Sequence, residues 1–213
     1  HGATIRERTV VDRLRPSDGG VEVVTSDGEV VRAPVAVVTA GPWAAELLGA
    51  AGTALPLVPS FEQVTYFELD DPAPLPTIID WQADPVHTPY WVPDPMEPGH
   101  FKIALHMSGP SIGADERTFD PDPARVAAVE TYAADHVSRY RATGRTDTCL
   151  YTNTPDEDFV IDRVGPVVIG SPCSGHGFKF VPFVGEQLAR LAIGERPAVD
   201  LSRFSASRPA LTG

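Results

Sequence analysis

Cysteine is nearly absent from this chain. Its 213 residues carry two, Cys149 and Cys173, too few for a disulfide framework. No apolar run reaches membrane length, because the most apolar stretch, APVAVVTAGPWAAELLGAAGTALPLVP, is broken by Gly, Pro and Glu46. Positive charge is also scarce. Lys and Arg total 17 against 29 Asp and Glu, and the resulting net charge of −12 would repel nucleic-acid phosphates. No His or Cys stands at zinc-like spacing around the acidic run PDEDF, so no metal site is expected there. The opening HGATIRERTV is polar and basic and does not read as a secretory leader. These absences predict a cytoplasmic protein with neither a nucleic-acid nor a membrane partner.

What is present is an α+β pattern. Residues 3–38 read as short strands, TIRERTVVDRLRP, GGVEVVTSDG and EVVRAPVAVVTAG, divided by Asp-Gly turns. AAELLGA follows as a short helix with Gly49 at its C-terminal end. SFEQVTYFELD, PTIIDWQ, TPYWVPDP and HFKIALHMSG read as strands joined by Pro-rich turns, which suggests an antiparallel sheet. Val126, Val129, Ala133, Val137 and Tyr140 recur at helical spacing and predict a helix over 122–142, with Gly144 as its stop. VVIGSP reads as a buried strand. VPFVGEQLARLAIG reads as a helix with Pro182 in its first turn.

Four places can carry chemistry. In GHGFKF, glycines and Lys179 stand where a helix begins, either as a close-approach loop for an electron-rich ligand or as an ordinary tight turn. In HFKIALH, period two puts Lys102, Ala104 and His106 on one strand face, where they either flank a flat ligand or meet water. Cys149 is either a small buried hydrophobe or a reactive thiol, with Arg145 near it in sequence. Asp156, Glu157 and Asp158 of PDEDF read as an acid–base pair or, more simply, as a capped turn.

VVTAGPWAAELLG, FKIALH, CLYTNTPDEDFVID and GHGFKF, in that order, resemble the monomeric sarcosine oxidase and N-methyltryptophan oxidase family, flavoprotein amine oxidases of the D-amino-acid-oxidase superfamily. The resemblance covers nearly the whole chain. It implies an antiparallel substrate-domain sheet with helices, plus C-terminal strand–loop–helix pieces of a glutathione-reductase-like FAD-binding domain. The implied boundaries are 1–52 and 149–213 for the flavin domain and 53–148 for the substrate domain. Cys149 aligns with the cysteine that forms a thioether to the 8α-methyl of FAD. Lys102 aligns with the lysine that promotes reaction of reduced flavin with oxygen. His106 and Tyr90 align with residues beside the amine substrate. Lys179 aligns with the lysine that holds the substrate carboxylate, and Gly175, His176, Gly177 and Phe178 bring backbone close to the flavin. Trp81, Tyr90 and Trp91 suit either a small or an aromatic amine.

The implied reaction is oxidative demethylation of a small N-methyl amino acid by O2, giving the amino acid, formaldehyde and hydrogen peroxide. The strand–G-x-G-x-x-G–helix unit that cradles the FAD pyrophosphate in such enzymes is absent from the sequence. The chain therefore reads as the C-terminal portion of an oxidase. By itself it is expected to hold no FAD, to be inactive, and to self-associate through exposed apolar surface. The alternatives are a stand-alone binding or scaffold domain and one subunit of a split oxidase.

Overall fold

The computed structural model describes residues 2–71, 74–81, 88–171 and 174–212. The chain divides into two compact units, residues 1–58 with 152–213, and residues 59–151. Cys173 and the 82–87 end of the segment after Trp81 lie outside the described residues.

The first unit holds two three-stranded sheets. Strands β1 (Val11–Ser17), β2 (Gly20–Thr25) and β3 (Val30–Ala33) pair antiparallel in chain order. Residues 3–10, expected to begin the first strand, lie outside it. The second sheet has the order β10-β11-β4, built from β4 (Ala36–Val38), β10 (Val160–Val164) and β11 (Val167–Ser171). Strand β11 runs antiparallel to β10 and parallel to β4. Its five residues are all buried, as a continuous apolar run in a central strand requires.

Helix α3 (Val181–Ala192) turns Val184 and Leu188 onto Phe159, Ile161 and Val168. It packs so closely that a Cβ on Gly170 of β11 would sit 2.5 Å from a Leu188 methyl. Gln187, on the same helix, is wholly buried and accepts the amide of Ala198 at 2.7 Å. Helix α1 (Ala44–Ala50) buries Ala44 and Leu48 in the unit's other core, with Val38 and Ile169. Gly49 lies inside α1. The left-handed residue that ends the turn is Gly52, at φ +85°, a conformation costly for residues with a Cβ.

The second unit is one five-stranded sheet of order β6-β7-β8-β5-β9. Its strands are β5 (Val58–Leu69), β6 (Ile78–Ile79), β7 (Pro89–Pro93), β8 (His100–Leu105) and β9 (Tyr140–Asn153). Phe67, Phe101 and Ile103 on one face are buried against Val129 and Ala133 of α2 (Pro123–His136). Asp122 caps α2 by accepting the Ala124 amide at 2.8 Å, and Pro123 follows at the first position.

The helix predicted over 122–142 stops six residues early. Val137 is already extended, Arg139 has φ +58°, and Tyr140 opens β9. Val137 and Tyr140 do reach the core that their spacing with Val129 and Ala133 suggested, but from a turn and a strand. Gly144, expected as the helix stop, lies within β9 at φ +72°.

Candidate active site

The face of the second unit's sheet opposite α2 gathers several of the residues expected to form a site. Strand pairing sets Tyr90 opposite Ala104, Val92 opposite Lys102 and Tyr66 opposite Lys102. Paired residues share a face, so Lys102, Tyr66 and Tyr90 stand together, away from Phe101 and Ile103. Alternation along β9 gives Asp147, Cys149 and Tyr151 one common face. Asp147 hydrogen-bonds Tyr66, and the charge of Lys102 acts on both Asp147 and Cys149, which joins the two sets.

Strand β8 ends at Leu105, one residue short of the expected His106. The His106 amide still donates to Thr88 O at 2.9 Å, and Met107 then turns the chain at φ +53°. The His106 ring meets Tyr151 at 5.6 Å and Tyr90 at 6.4 Å between centroids, and the two tyrosine hydroxyls are 3.4 Å apart. Burial raises the pKa of both tyrosines and keeps them protonated, which leaves each an O–H to donate.

Cys149 is half-buried with a free thiol, and burial pushes that thiol up. Glu62 pushes it further, while Arg117, Lys102 and Arg125 act in the opposite sense. Arg145, the neighbour noted in sequence, has another use. It binds Asp147 at 2.6 Å and stacks on Tyr66 at 4.1 Å. The cation beside the cysteine strand is Arg117, which donates through Nη2 to the Thr148 carbonyl and to Thr148 Oγ1.

The first unit holds the other predicted residues. Ser174 and Gly175 turn the chain at φ +50° and +75°. His176 Nδ1 donates at 2.8 Å to Ser174 O and packs its ring 5.1 Å from Phe159. Gly177 is buried and precedes a 3-10 turn over Phe178–Phe180, so Lys179 lies one turn before α3. Phe178 is 92% exposed, and Lys179 Nζ rests 5.5 Å over the Phe180 ring. Beside this turn, whose Ser174 amide binds Thr152 O, the buried hydroxyls of Thr152 and Ser171 have no partner among the described residues.

Two sequence candidates are structural. Asp156 makes a bidentate pair with Arg208, and Asp158 binds Arg203 at 2.8 Å, so PDEDF ties down the C-terminal segment. Trp91 opposes Ile103 and packs with the α2 core. Sequence reasoning missed Tyr151 and Arg117. Tyr151 stands two residues after Cys149, the spacing that shares a strand face. A further signal went unused: the chain has only two lysines, Lys102 and Lys179.

Comparison with known proteins identifies the family. Residues 1–191 match the family model described as DAO, FAD dependent oxidoreductase. The chain is 34% identical over 221 residues to the peroxisomal sarcosine oxidase of Mus musculus, covering 97% of this chain and 55% of that protein. It is 30% identical over 207 residues to the N-methyl-L-tryptophan oxidase of Salmonella typhi, covering 93% and 54%. The open form of NikD, an unusual amino acid oxidase essential for nikkomycin biosynthesis, superposes with a TM-score of 0.83 at 26% identity, over 96% of this chain and 56% of that one. Glycine oxidase from Geobacillus kaustophilus shares the fold, with a TM-score of 0.76 at 21% identity over 97% and 54%. The chain thus spans about half the length of the curated relatives it matches. With a family match over residues 1–191 and relatives that are sarcosine and N-methyltryptophan oxidases, the chain belongs to the DAO family of FAD dependent oxidoreductases.

Proposed function

We propose that this chain is the C-terminal portion of a flavin-dependent oxidase of a small N-methyl amino acid. The observation that carries the reading is the cluster on the second unit's sheet, where Lys102, Cys149, Tyr90, Tyr151 and His106 lie on or beside one face. In this reading residues 59–151 carry Lys102, Tyr90, His106 and Cys149, and the 175–179 turn of the first unit carries the remaining residues assigned to cofactor and substrate.

The residues fit a flavin on two observations. Cys149 offers a free, half-buried thiol near Lys102, and the hydroxyls of Thr152 and Ser171 beside the 174–177 turn, without a partner among the described residues, leave polar groups available to a ligand. When bound, the flavin supplies the two-electron oxidation of the amine and passes the electrons to O2.

The protein's own groups do the rest. Cys149 holds the cofactor covalently, which requires its thiolate, so the cations around it matter. Lys102 places a positive charge where oxygen is reduced. Tyr90 and Tyr151 donate hydrogen bonds and, with His106, orient the substrate. Lys179 binds its carboxylate, while Gly175, His176, Gly177 and Phe178 line the cofactor. Net turnover consumes the N-methyl amino acid, O2 and water and yields the amino acid, formaldehyde and hydrogen peroxide.

The test supplies what the sequence lacks. The 213-residue chain is purified alone, and again after co-expression with a G-x-G-x-x-G-bearing half from a related oxidase. We expect a colourless chain alone. With the added half, flavin should survive denaturation in the native sequence, be released by Cys149→Ser, and produce peroxide from sarcosine. Near-stoichiometric flavin on the chain alone, or flavin that separates fully from the denatured assembly, would sink the covalent and divided-site reading.

A further inference from the structure

A buried ion-pair network beside the tyrosine–histidine cluster has no role above. Glu62 of β5 has a side chain only 3% exposed, and Arg125 of α2 is 13% exposed. Arg125 Nη2 donates to Glu62 Oε2 at 3.0 Å and to Ser108 Oγ at 2.7 Å, and Nη1 donates to Phe61 O at 2.9 Å. The other Glu62 oxygen accepts from Ser60 Oγ at 2.8 Å and from the Gly109 amide at 3.4 Å. One ion pair therefore ties together β5, the first turn of α2 and the chain leaving β8.

Backbone bonds lay the same segment along β5, from Phe61 N to Pro110 O at 2.9 Å and from Ile112 N to Pro59 O at 3.0 Å. The approach is close enough to demand glycine, since a Cβ on Gly109 would lie 1.6 Å from Phe61 O. The pinned segment begins at Met107 and Ser108, directly after His106.

Holding a loop does not by itself call for a buried ion pair, because an apolar contact of similar volume is often as stable. What the pair adds is charge at a fixed place. Glu62 acts on Cys149, Tyr90 and Tyr151, and Arg125 acts on Cys149 in the opposite sense.

We propose that Glu62 and Arg125 are a positioning pair, which pins residues 107–110 to β5 so that His106 is held against Tyr90 and Tyr151. The inference rests on reading this face as the reactive one, but its test needs neither flavin nor substrate. Two readouts on the full 213-residue chain separate positioning from bulk stability.

The first is the iodoacetamide alkylation rate of Cys149 at fixed pH, followed on its own peptide by mass spectrometry. The charges acting on that thiol are Glu62, Arg117, Lys102 and Arg125. Glu62→Gln leaves Arg125 uncompensated and should speed alkylation severalfold, whereas Arg125→Gln leaves Glu62 uncompensated and should slow it severalfold. The double variant should fall between the two single variants. If both single variants speed alkylation, the pair is only a structural brace and the charge role is overturned.

The second readout is the His106 ring resonance by NMR in the double variant, which also serves if a single variant does not fold. A shifted, broadened resonance is expected, and an unchanged one overturns the positioning of His106. Loss of the oxidase reading would show instead as absent flavin in the assembly with these responses intact.

Discussion

Each unit contains an arginine–carboxylate pair that joins residues far apart in sequence through a largely shielded guanidinium, and the two are built differently. In the first unit Arg208, at 8% exposure, grips both oxygens of Asp156 at 2.7 Å and also donates to the carbonyls of Phe159, Asp158 and Ser205. Every partner lies in the β10 approach or the C-terminal segment, so the pair is a fastener. In the second unit the charges of Glu62 and Arg125 act in opposite senses on the Cys149 thiol, and Glu62 also raises the pKa of Tyr90 and Tyr151. The same two side-chain types close a chain end in one place and set the electrostatics of a candidate site in the other. The difference lies in what surrounds them.

The comparison is broken most strongly at Arg208. Arg208→Ala strands a carboxylate and three backbone carbonyls that received its N–H groups, and should cost about 3–5 kcal/mol. Urea denaturation of the 213-residue chain measures the loss, and a change below 1 kcal/mol would show that the C-terminal segment is held by its apolar contacts alone.

A smaller effect separates the pairs by pH. The hydrogen bonds from Arg208 hold Asp156 down at about 2, below its ordinary 3.8. A depressed carboxyl stabilises the fold fully above its ordinary value, and that contribution is lost as pH falls from about 4 through 2. With a side chain 25% exposed, Asp156 should contribute about 1–2 kcal/mol after screening. Asp156→Asn should remove that much at pH 7 and flatten the acid limb of the stability curve. An equally steep acid limb in the variant would assign it to other carboxylates.

The hydroxyl pair comes next. Tyr151→Phe removes the 3.4 Å contact with Tyr90 and should cost about 1 kcal/mol, read as a lower thermal midpoint. The least effect belongs to Arg145 and Asp147, whose side chains are 54% and 47% exposed. Asp147→Asn should change stability by less than about 0.5 kcal/mol, so a large loss would mean that the stacking of Arg145 on Tyr66 depends on it.

Sequence reading succeeded where the burial pattern is local. The run VVIG is buried on both faces and folds as β11, and the helical spacing of Val184 and Leu188 marks the face that α3 buries. It failed where spacing was ambiguous. Val137 and Tyr140 continue the apolar register of α2, but the extended Val137 and left-handed Arg139 redirect the chain without changing which core it meets. The candidate site was half legible. Lys102 and Cys149 stand out through their motifs, whereas Tyr151 finds Tyr90 across 61 residues and Arg125 finds Glu62 across 63. Pairings of that kind arise from sheet order, which no local pattern encodes.

The narrow gap between β11 and α3 makes Gly170 and Leu188 joint owners of a single volume. Neither position can be judged alone, because a methyl added at one must be met by atoms removed at the other. Gly170→Ala and Leu188→Ala should each destabilise the first unit, yet their combination should cost less than the sum, the shortfall measuring how much space the two share. Substitutions that look forbidden at either site thus become admissible together, and the sequences compatible with this layer are limited by pairs rather than by single residues.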